Sequence, residues 1–193
     1  MYLFRNGQKM IRSLFLAAAL VLSQAALFAQ DVVNEKPPLS ERIFLGGSFG
    51  LQFGTVTNIQ VAPVLGVWLL PRLNVAAGPS FQYYKDSYGS TLIYGGRAYS
   101  EFVFVQDLNN VIPLGVNLGL FIHTEYEGLS LEKNFFVADD APGRVFQGTW
   151  FGGLGISEPL GRRSSIDIEL LWVLTGNNYL THDSPEFRVM LNF

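Results

Sequence analysis

The sequence contains no cysteine in 193 residues, and only 15% of it is charged. The first absence excludes a disulfide framework, a thiol nucleophile and a thiolate metal site. The 13 Lys and Arg residues are outnumbered by 16 Asp and Glu. A basic groove for nucleic acid is therefore not expected, and we predict no nucleic-acid partner.

The N-terminus has the pattern of a secretory signal peptide. Arg5, Lys9 and Arg12 precede a compact apolar run at 14–22, and small residues follow it. We predict cleavage after Ala29, with the site free to move by a residue or two. A single membrane helix is the alternative, but it needs about 20 unbroken apolar residues. Loss of the three basic residues leaves ten Lys and Arg, so the exported chain carries a charge of about −6.

Hydrophobic residues make up 49% of the chain and aromatic residues 14%, with 20 glycines. The C-terminal stretch shows how they are arranged, because apolar Phe187, Val189, Leu191 and Phe193 alternate with residues that include polar Arg188 and Asn192. A period of two places alternate side chains on opposite faces of a β-strand. One face of this strand is apolar and the other mostly polar.

The same alternation recurs along the mature chain and predicts eight strands of about ten residues. Their predicted ranges are 43–53, 58–70, 73–83, 92–104, 114–125, 147–157, 165–174 and 187–193. Pro63 within the second range cannot donate to a ladder, which predicts a local bulge. Strands of this length and even number are typical of closed barrels in outer membranes, where an open sheet edge could not be satisfied by water.

The predicted fold class is therefore all-β, an eight-stranded antiparallel transmembrane β-barrel preceded by a cleaved signal peptide. We assign residues 1–29 to the signal peptide, 30–41 to a short extended periplasmic lead and 42–193 to the barrel. Both termini are predicted to be periplasmic. The outer loops are then 54–57, 85–91, 128–144 and 175–184, of which the third is the longest. Aromatic residues are predicted at both membrane boundaries, with Phe193 at the inner one.

Five stretches carry a resemblance to known proteins. They are G-G-S-F-G-L-Q-F-G-T at 46–55, L-P-R-L at 70–73, Q-Y-Y-K-D at 82–86, I-Y-G-G-R at 93–97 and L-G-R-R-S-S at 160–165. They resemble an uncharacterised family of outer-membrane barrels in Gram-negative bacteria, and the architecture resembles the small OmpA/OmpX-type barrels. The resemblance covers about residues 42–193 and implies a fold but no activity. The terminal strand with Phe187, Val189, Leu191 and Phe193 is similar to the signal read by the barrel assembly machinery.

The inward faces of the predicted strands carry charged side chains. An eight-stranded barrel has room only for side chains, so these groups must pair with one another. The predicted interior charge network contains Arg42, Arg97, Glu101, His123, Glu125, Asp167, Glu169, Glu186 and Arg188. We interpret this network as a structural plug of the barrel. The alternative interpretation is a gated path for protons or ions through the network.

Two other functions stay open at this stage. His123, Thr124 and Glu125 are the residue types of nucleophilic catalysis, and some barrels that remove acyl chains from lipid A use such a set. The predicted register points Thr124 away from the other two, so we predict no catalytic residues and no enzyme. A soluble periplasmic lipid carrier would need an apolar interior and a polar exterior, the reverse of the predicted faces.

The sequence thus predicts an integral protein of the cell outer membrane with a structural, adhesive or interaction role through its extracellular loops. The expected partners are outer-membrane lipid and lipopolysaccharide, with the barrel assembly machinery during insertion. We expect a monomer. No cofactor or metal motif is present, and we predict neither.

Overall fold

In a computed structural model, the protein is described over residues 37–52, 57–113, 115–136, 142–161, 164–176 and 184–193. The predicted signal peptide, 1–29, and the first part of the predicted lead, 30–36, lie outside these ranges. A compact unit runs from Pro38 to Phe193. No helix within the described ranges has the length and apolar character needed to cross a membrane.

The described chain folds into one closed sheet of eight antiparallel strands in sequence order, each paired with its neighbours. The strands are β1 (Ile43–Gln52), β2 (Thr57–Leu70), β3 (Leu73–Lys85), β4 (Ser90–Val105), β5 (Gly119–Glu132), β6 (Arg144–Pro159), β7 (Ser165–Thr175) and β8 (Glu186–Asn192). Two four-residue helices, α1 (Leu39–Arg42) and α2 (Lys133–Phe136), and a 3₁₀ turn (Leu108–Asn110) accompany them. The predicted all-β, eight-stranded antiparallel barrel is confirmed.

The sheet closes where β8 meets β1. Three residues of β1, Gly46, Gly47 and Ser48, pair with β8 there. Every other pair of neighbouring strands forms more residue pairs than this. Leu45 and Phe193 extend it, because each backbone N–H donates to the other residue's carbonyl, at 3.0 and 2.7 Å. The last residue of the chain therefore takes part in closing the barrel.

Alternation in the sequence becomes alternation of environment in the structure. In β2, Val61, Pro63 and Leu65 are exposed, whereas Ala62 and Val64 between them are buried. The other strands also place their side chains on the faces that the sequence predicts. For example, Arg97 and Glu169 point into the barrel, whereas Leu170 is exposed. The result is an apolar exterior around an interior that holds most of the buried polar groups.

The described part of the chain forms two apolar clusters inside the barrel, along with these polar groups. One consists of Phe44, Val64, Ala76, Tyr99 and Met190, with Trp68 packed against it. The other consists of Ile93, Leu129 and Leu131, with Tyr84, Phe136 and Val145 packed against it. The second cluster draws on the start of β4 and the end of β5, so it lies at the end of the barrel that carries α2.

The predicted position of the fifth strand is wrong by several residues. Alternation begins at Leu114, but β5 begins only at Gly119 and extends to Glu132. The residue just before this strand, Leu118, lies in the connection between β4 and β5, where its carbonyl accepts a hydrogen bond from the backbone N–H of Leu108 at 2.7 Å. The predicted long loop at 128–144 is correspondingly shorter, because residues 128–132 belong to β5 and residues 133–136 to α2.

The predicted extended lead also differs, since it ends in the helical turn α1. The backbone N–H of Glu41 donates to the carbonyl of Pro38 at 2.9 Å, which closes this turn before β1 begins. A proline whose own N–H is absent fits the position immediately before a helix, where that donor would have no partner.

The predicted bulge at Pro63 is replaced by an interruption of the ladder. β2 and β3 keep one register on both sides, from Val61 paired with Phe81 to Leu65 paired with Ala77, and no pairs are formed between them. That register sets Pro63 opposite Pro79, so neither residue offers a backbone N–H to the other. The actual register shift of β2 lies between Trp68 and Leu70.

Candidate functional site

The middle of the barrel interior holds a cluster of charged side chains contributed by β4, β5, β7 and β8. Strand register brings them together: Glu101 pairs with His123 across β4 and β5, and Glu169 pairs with Arg188 across β7 and β8. Each occupies an inward position, where the wall of the barrel shields it from solvent.

His123 is the centre of this cluster and is fully buried. Its Nδ1 atom lies 3.1 Å from Oε1 of Glu101 and 3.2 Å from Oε1 of Glu169. Its Nε2 atom lies 3.4 Å from Oε2 of Glu125. The ring packs on Tyr99 with 4.8 Å between the centroids. One imidazole therefore faces three carboxylates.

Glu125 is the carboxylate with the strongest cationic partner. Nη1 of Arg188 donates to both of its oxygens, at 3.0 and 2.8 Å. Nη1 of Arg97 lies 3.8 Å from the same carboxylate. The other donors of Arg188, Nε and Nη2, bond Glu186 Oε1 at 3.2 and 2.9 Å. Charged hydrogen bonds of this kind are short and strong. The guanidinium group of Arg188 therefore binds Glu125 through Nη1 and Glu186 through Nε and Nη2.

The side chain of Arg97 extends from β4 past the neighbouring strand β3 to β2. It pairs in register with Gly78 of β3, which has no side chain to obstruct it. Its Nη2 donates to the carbonyl of Ala62 in β2 at 3.0 Å. Ala62 lies in the stretch where Pro63 and Pro79 face each other and the ladder is interrupted. The arginine thus gives the carbonyl of Ala62 a donor in a stretch where the β2–β3 ladder forms no pairs.

Glu169 differs from its neighbours in the cluster. Its exposed fraction is 1%, and neither of its oxygens accepts a hydrogen bond. The guanidinium group of Arg188, directly opposite in the ladder, goes to Glu125 and Glu186 instead. Among the described residues, Nδ1 of His123 is therefore the cationic group nearest to Glu169, and the guanidinium group of Arg188 acts on it from farther away.

A cavity of about 260 Å³ extends from the β6–β7 turn into the barrel as far as Glu101. Polar side chains line much of it, among them Asp167 and Asn192. Asp167 accepts from Ser157 Oγ and from Asn192 Nδ2, each at 2.5 Å. Glu101 accepts from Asn74 Nδ2 at 2.7 Å at the same wall. The cavity thus runs from one end of the barrel to Glu101, one of the three carboxylates around His123.

The predicted network residues divide into three groups by position. The central group, in mutual contact, consists of Arg97, Glu101, His123, Glu125, Glu169, Arg188 and, at its half-buried edge, Glu186. Asp167 is buried beside the cavity and bonds neutral side chains. Arg42 lies half-buried in α1, and no ion pair between described residues joins it to the cluster.

One buried carboxylate was missing from the sequence prediction. Glu127 is fully buried and accepts a hydrogen bond from Ser80 Oγ at 2.8 Å. It has the same inward parity as His123 and Glu125, so the signal was present in the alternation. It was missed because the predicted strand ended at residue 125.

The three residues considered for nucleophilic catalysis do not converge. His123 and Glu125 point inward, whereas the hydroxyl of Thr124 lies on the exposed outer face, 2.9 Å from that of Ser100. A nucleophile has to lie within hydrogen-bond reach of its base. This geometry therefore gives His123 no hydroxyl from Thr124 to activate.

The terminal strand presents its apolar residues outward. Phe187 and Phe193 are exposed to 67% and 65%, and Leu191 is also exposed while Val189 is partly covered. No known family model matches the chain, and no curated protein matches it either.

Proposed function

We propose that this protein is an integral β-barrel of a Gram-negative outer membrane, with a structural, adhesive or interaction role through its extracellular loops. The observation that carries the proposal is the apolar outer surface of a closed barrel whose charges are buried. Soluble proteins rarely expose more than a few hundred Å² of contiguous apolar surface, and larger patches mark an interaction site or a membrane.

Large apolar side chains are exposed on all eight strands. One from each is Leu45, Leu65, Phe81, Leu92, Ile122, Leu154, Leu174 and Phe187. They surround the whole circumference rather than forming one patch, which favours lipid over a protein partner. A lipid environment also requires every strand edge to be paired, and the closed sheet meets that requirement.

Exposed aromatic side chains support the same placement. Tyr126 and Trp150 are cross-strand neighbours with 5.1 Å between ring centroids, and both are exposed, as is Trp172 on the adjoining strand. Phe104 and Phe193 are exposed near strand ends on the side where both termini of the barrel lie. Aromatic girdles at the two boundaries are typical of membrane barrels.

The interior favours an anchor over a pore or a lipid carrier. Phe121, Phe151 and Met190 are fully buried there together with the charged cluster, so side chains fill much of the lumen. A carrier would place its apolar residues inside and its polar residues outside, opposite to the arrangement here. We expect the loops, rather than the lumen, to make the contacts that matter to the cell.

The proposal includes the partners and the location. Lipid and lipopolysaccharide are the expected surroundings of the barrel. The exposed alternate residues of β8 are the expected contact for the barrel assembly machinery, and both ends of the barrel domain are expected to face the periplasm.

The test is membrane extraction combined with surface labelling of tagged variants. One epitope is inserted in the β5–β6 connection, residues 133–143, and a matched control epitope in the β6–β7 connection, residues 160–164. We expect the protein to stay with membranes washed in alkaline carbonate. The first tag should bind antibody on intact cells and the second only after permeabilisation. Release by carbonate would contradict the proposal, as would failure of the first tag to bind on intact cells.

A further inference from the structure

The electrostatic feature that sets the interior apart is the way its charges meet at His123. Among the described residues, three buried carboxylates (Glu101, Glu125 and Glu169) face this imidazole. The guanidinium groups of Arg97 and Arg188 pair with Glu125. Glu101 and Glu169 then share one imidazole nitrogen, and because incompletely paired buried charge is costly, a cation between them would stabilise this interior.

Glu101 and Glu169 meet on one side of the His123 ring. Nδ1 can carry at most one proton, yet it faces one oxygen of Glu101 at 3.1 Å and one of Glu169 at 3.2 Å. Glu169 receives no hydrogen bond at either oxygen. A single proton therefore cannot satisfy both carboxylates well, whereas a metal ion between the three atoms would contact all of them.

We propose that Glu101, His123 and Glu169 form a binding site for a divalent transition-metal ion, with Zn²⁺ the best match. Their three ligand atoms lie within 4.8 Å of one another. A four-coordinate zinc holds N and O ligands at about 2.0–2.1 Å, which separates neighbouring ligands by about 3.3 Å. The two distances from Nδ1 are already close to that value.

The surroundings of the three side chains match those of metal ligands in other respects. A ligating histidine usually donates its other ring N–H to a carboxylate, which fixes the ring. Here Nε2 lies 3.4 Å from Glu125, whose own charge is balanced by Arg188. Glu101 is oriented by a hydrogen bond from Asn74 at 2.7 Å. Asn74 therefore holds one of the proposed ligands in place before an ion arrives, and Glu125 is the carboxylate nearest to Nε2 of His123, which forms no hydrogen bond among the described residues.

An entry route is also present. The 260 Å³ cavity ends at Glu101, and Asp167 lies along its wall. A carboxylate beside the route would attract a cation toward the ligands. One imidazole and two carboxylates suit zinc and its transition-metal neighbours better than Mg²⁺ or Ca²⁺, which prefer oxygen ligands alone. The site lies inside the barrel, so the inference does not rest on what surrounds the exterior.

The experiment measures metal binding to the folded protein in detergent micelles. The protein is stripped with a chelator, refolded with Zn²⁺, freed of excess ion and analysed for bound metal, and its affinity is measured by calorimetry. Glu169→Gln and Glu101→Gln each remove one ligand charge. Glu132→Gln is the matched control, because Glu132 is on the same strand as His123 but bonds Thr91 and Arg144 away from the cluster.

We expect about one zinc per barrel in the wild type and in Glu132→Gln, and an affinity lower by about tenfold or more in each ligand variant. Zinc bound in less than about a tenth of wild-type barrels would overturn the proposal, as would equal affinity in wild type and Glu169→Gln. Should a ligand variant fail to fold, the visible spectrum of Co²⁺ in the wild type decides. A spectrum with nitrogen ligation and low coordination number supports the site, and that of the hydrated ion overturns it.

Discussion

Arg188 is the side chain whose loss would leave the most charge uncompensated. It is buried and bonds both oxygens of Glu125 and one of Glu186. A buried charge that keeps its partner contributes little net stability, but removal of one partner leaves the other desolvated and alone. The consequence of losing a residue here depends on which charges stay behind.

Arg188→Met should therefore lower the free energy of unfolding by about 3–5 kcal/mol, because Glu125 then stays buried with a weaker cationic partner. Glu186→Gln is the control, since Arg188 keeps its two bonds to Glu125 and Glu186 is only partly buried. We expect the control to cost about 1 kcal/mol or less. Urea unfolding in lipid vesicles measures both values, and equal losses would show that the cluster does not hold the charge as described.

Gly78 is the residue at which the wall leaves no room for a side chain. A methyl group there would overlap the carbonyl oxygen of Pro63 and lie 2.9 Å from the Cα of Val64. We expect Gly78→Ala to destabilise the barrel by about 1–3 kcal/mol, because backbone atoms would have to move. At Gly50 the corresponding methyl group would meet only Gln60, at an ordinary 3.5 Å. Gly50→Ala should thus cost clearly less in the same unfolding assay.

Among the elements, β1 and β8 form the boundary with the fewest ladder pairs, and Phe193 supplies the hydrogen bonds at its end. Deletion of Phe193 should weaken closure because both backbone bonds to Leu45 are lost. Phe193→Ala keeps those bonds and removes only the ring. We expect the deletion to unfold at lower urea concentration than the substitution, monitored by the gel mobility of the folded barrel. The opposite order would assign the role of this residue to its ring.

The ends of a strand could be predicted from the sequence where the alternation of apolar and polar residues stops at the same residue as the strand. The alternation is also present at Val116 and Leu118, ahead of β5 in a connection, so the start of β5 was predicted too early. The end was predicted too early because Gly128 resembles a loop residue. In the structure this glycine leaves room for the ring of Phe146.

The candidate site could be predicted only as a set of inward-facing residues. Parity along each strand is enough to place Glu101, His123 and Glu169 inside. Which of them meet depends on the stagger of β4, β5 and β7 around the closed wall, and one sequence does not specify that stagger. The meeting of two glutamates at one imidazole nitrogen is therefore a finding of the structure.

The whole molecule is defined by its two opposite surfaces, the apolar exterior and the charged interior. A bilayer environment predicts that the cost of a charge on the exterior depends on its depth. Leu65 is near the middle of β2 and Leu70 is its last residue, and both are exposed. Leu65→Arg should cost about 2–4 kcal/mol in vesicles and Leu70→Arg about 0–1 kcal/mol. Similar costs at the two positions would argue against a bilayer around the barrel.

The facing prolines of β2 and β3 have a consequence for how the cylinder can come apart. The boundary between β1 and β8 has the fewest ladder pairs and is therefore one line along which the strands can separate. Here a second line of weakness runs beside Pro63 and Pro79, and Arg97 spans it from within through the carbonyl of Ala62. Arg97, which belongs to the central cluster, therefore also links β4 to β2 across the gap in the ladder. A change in the charge of the cluster can for this reason alter the contact between the two strands.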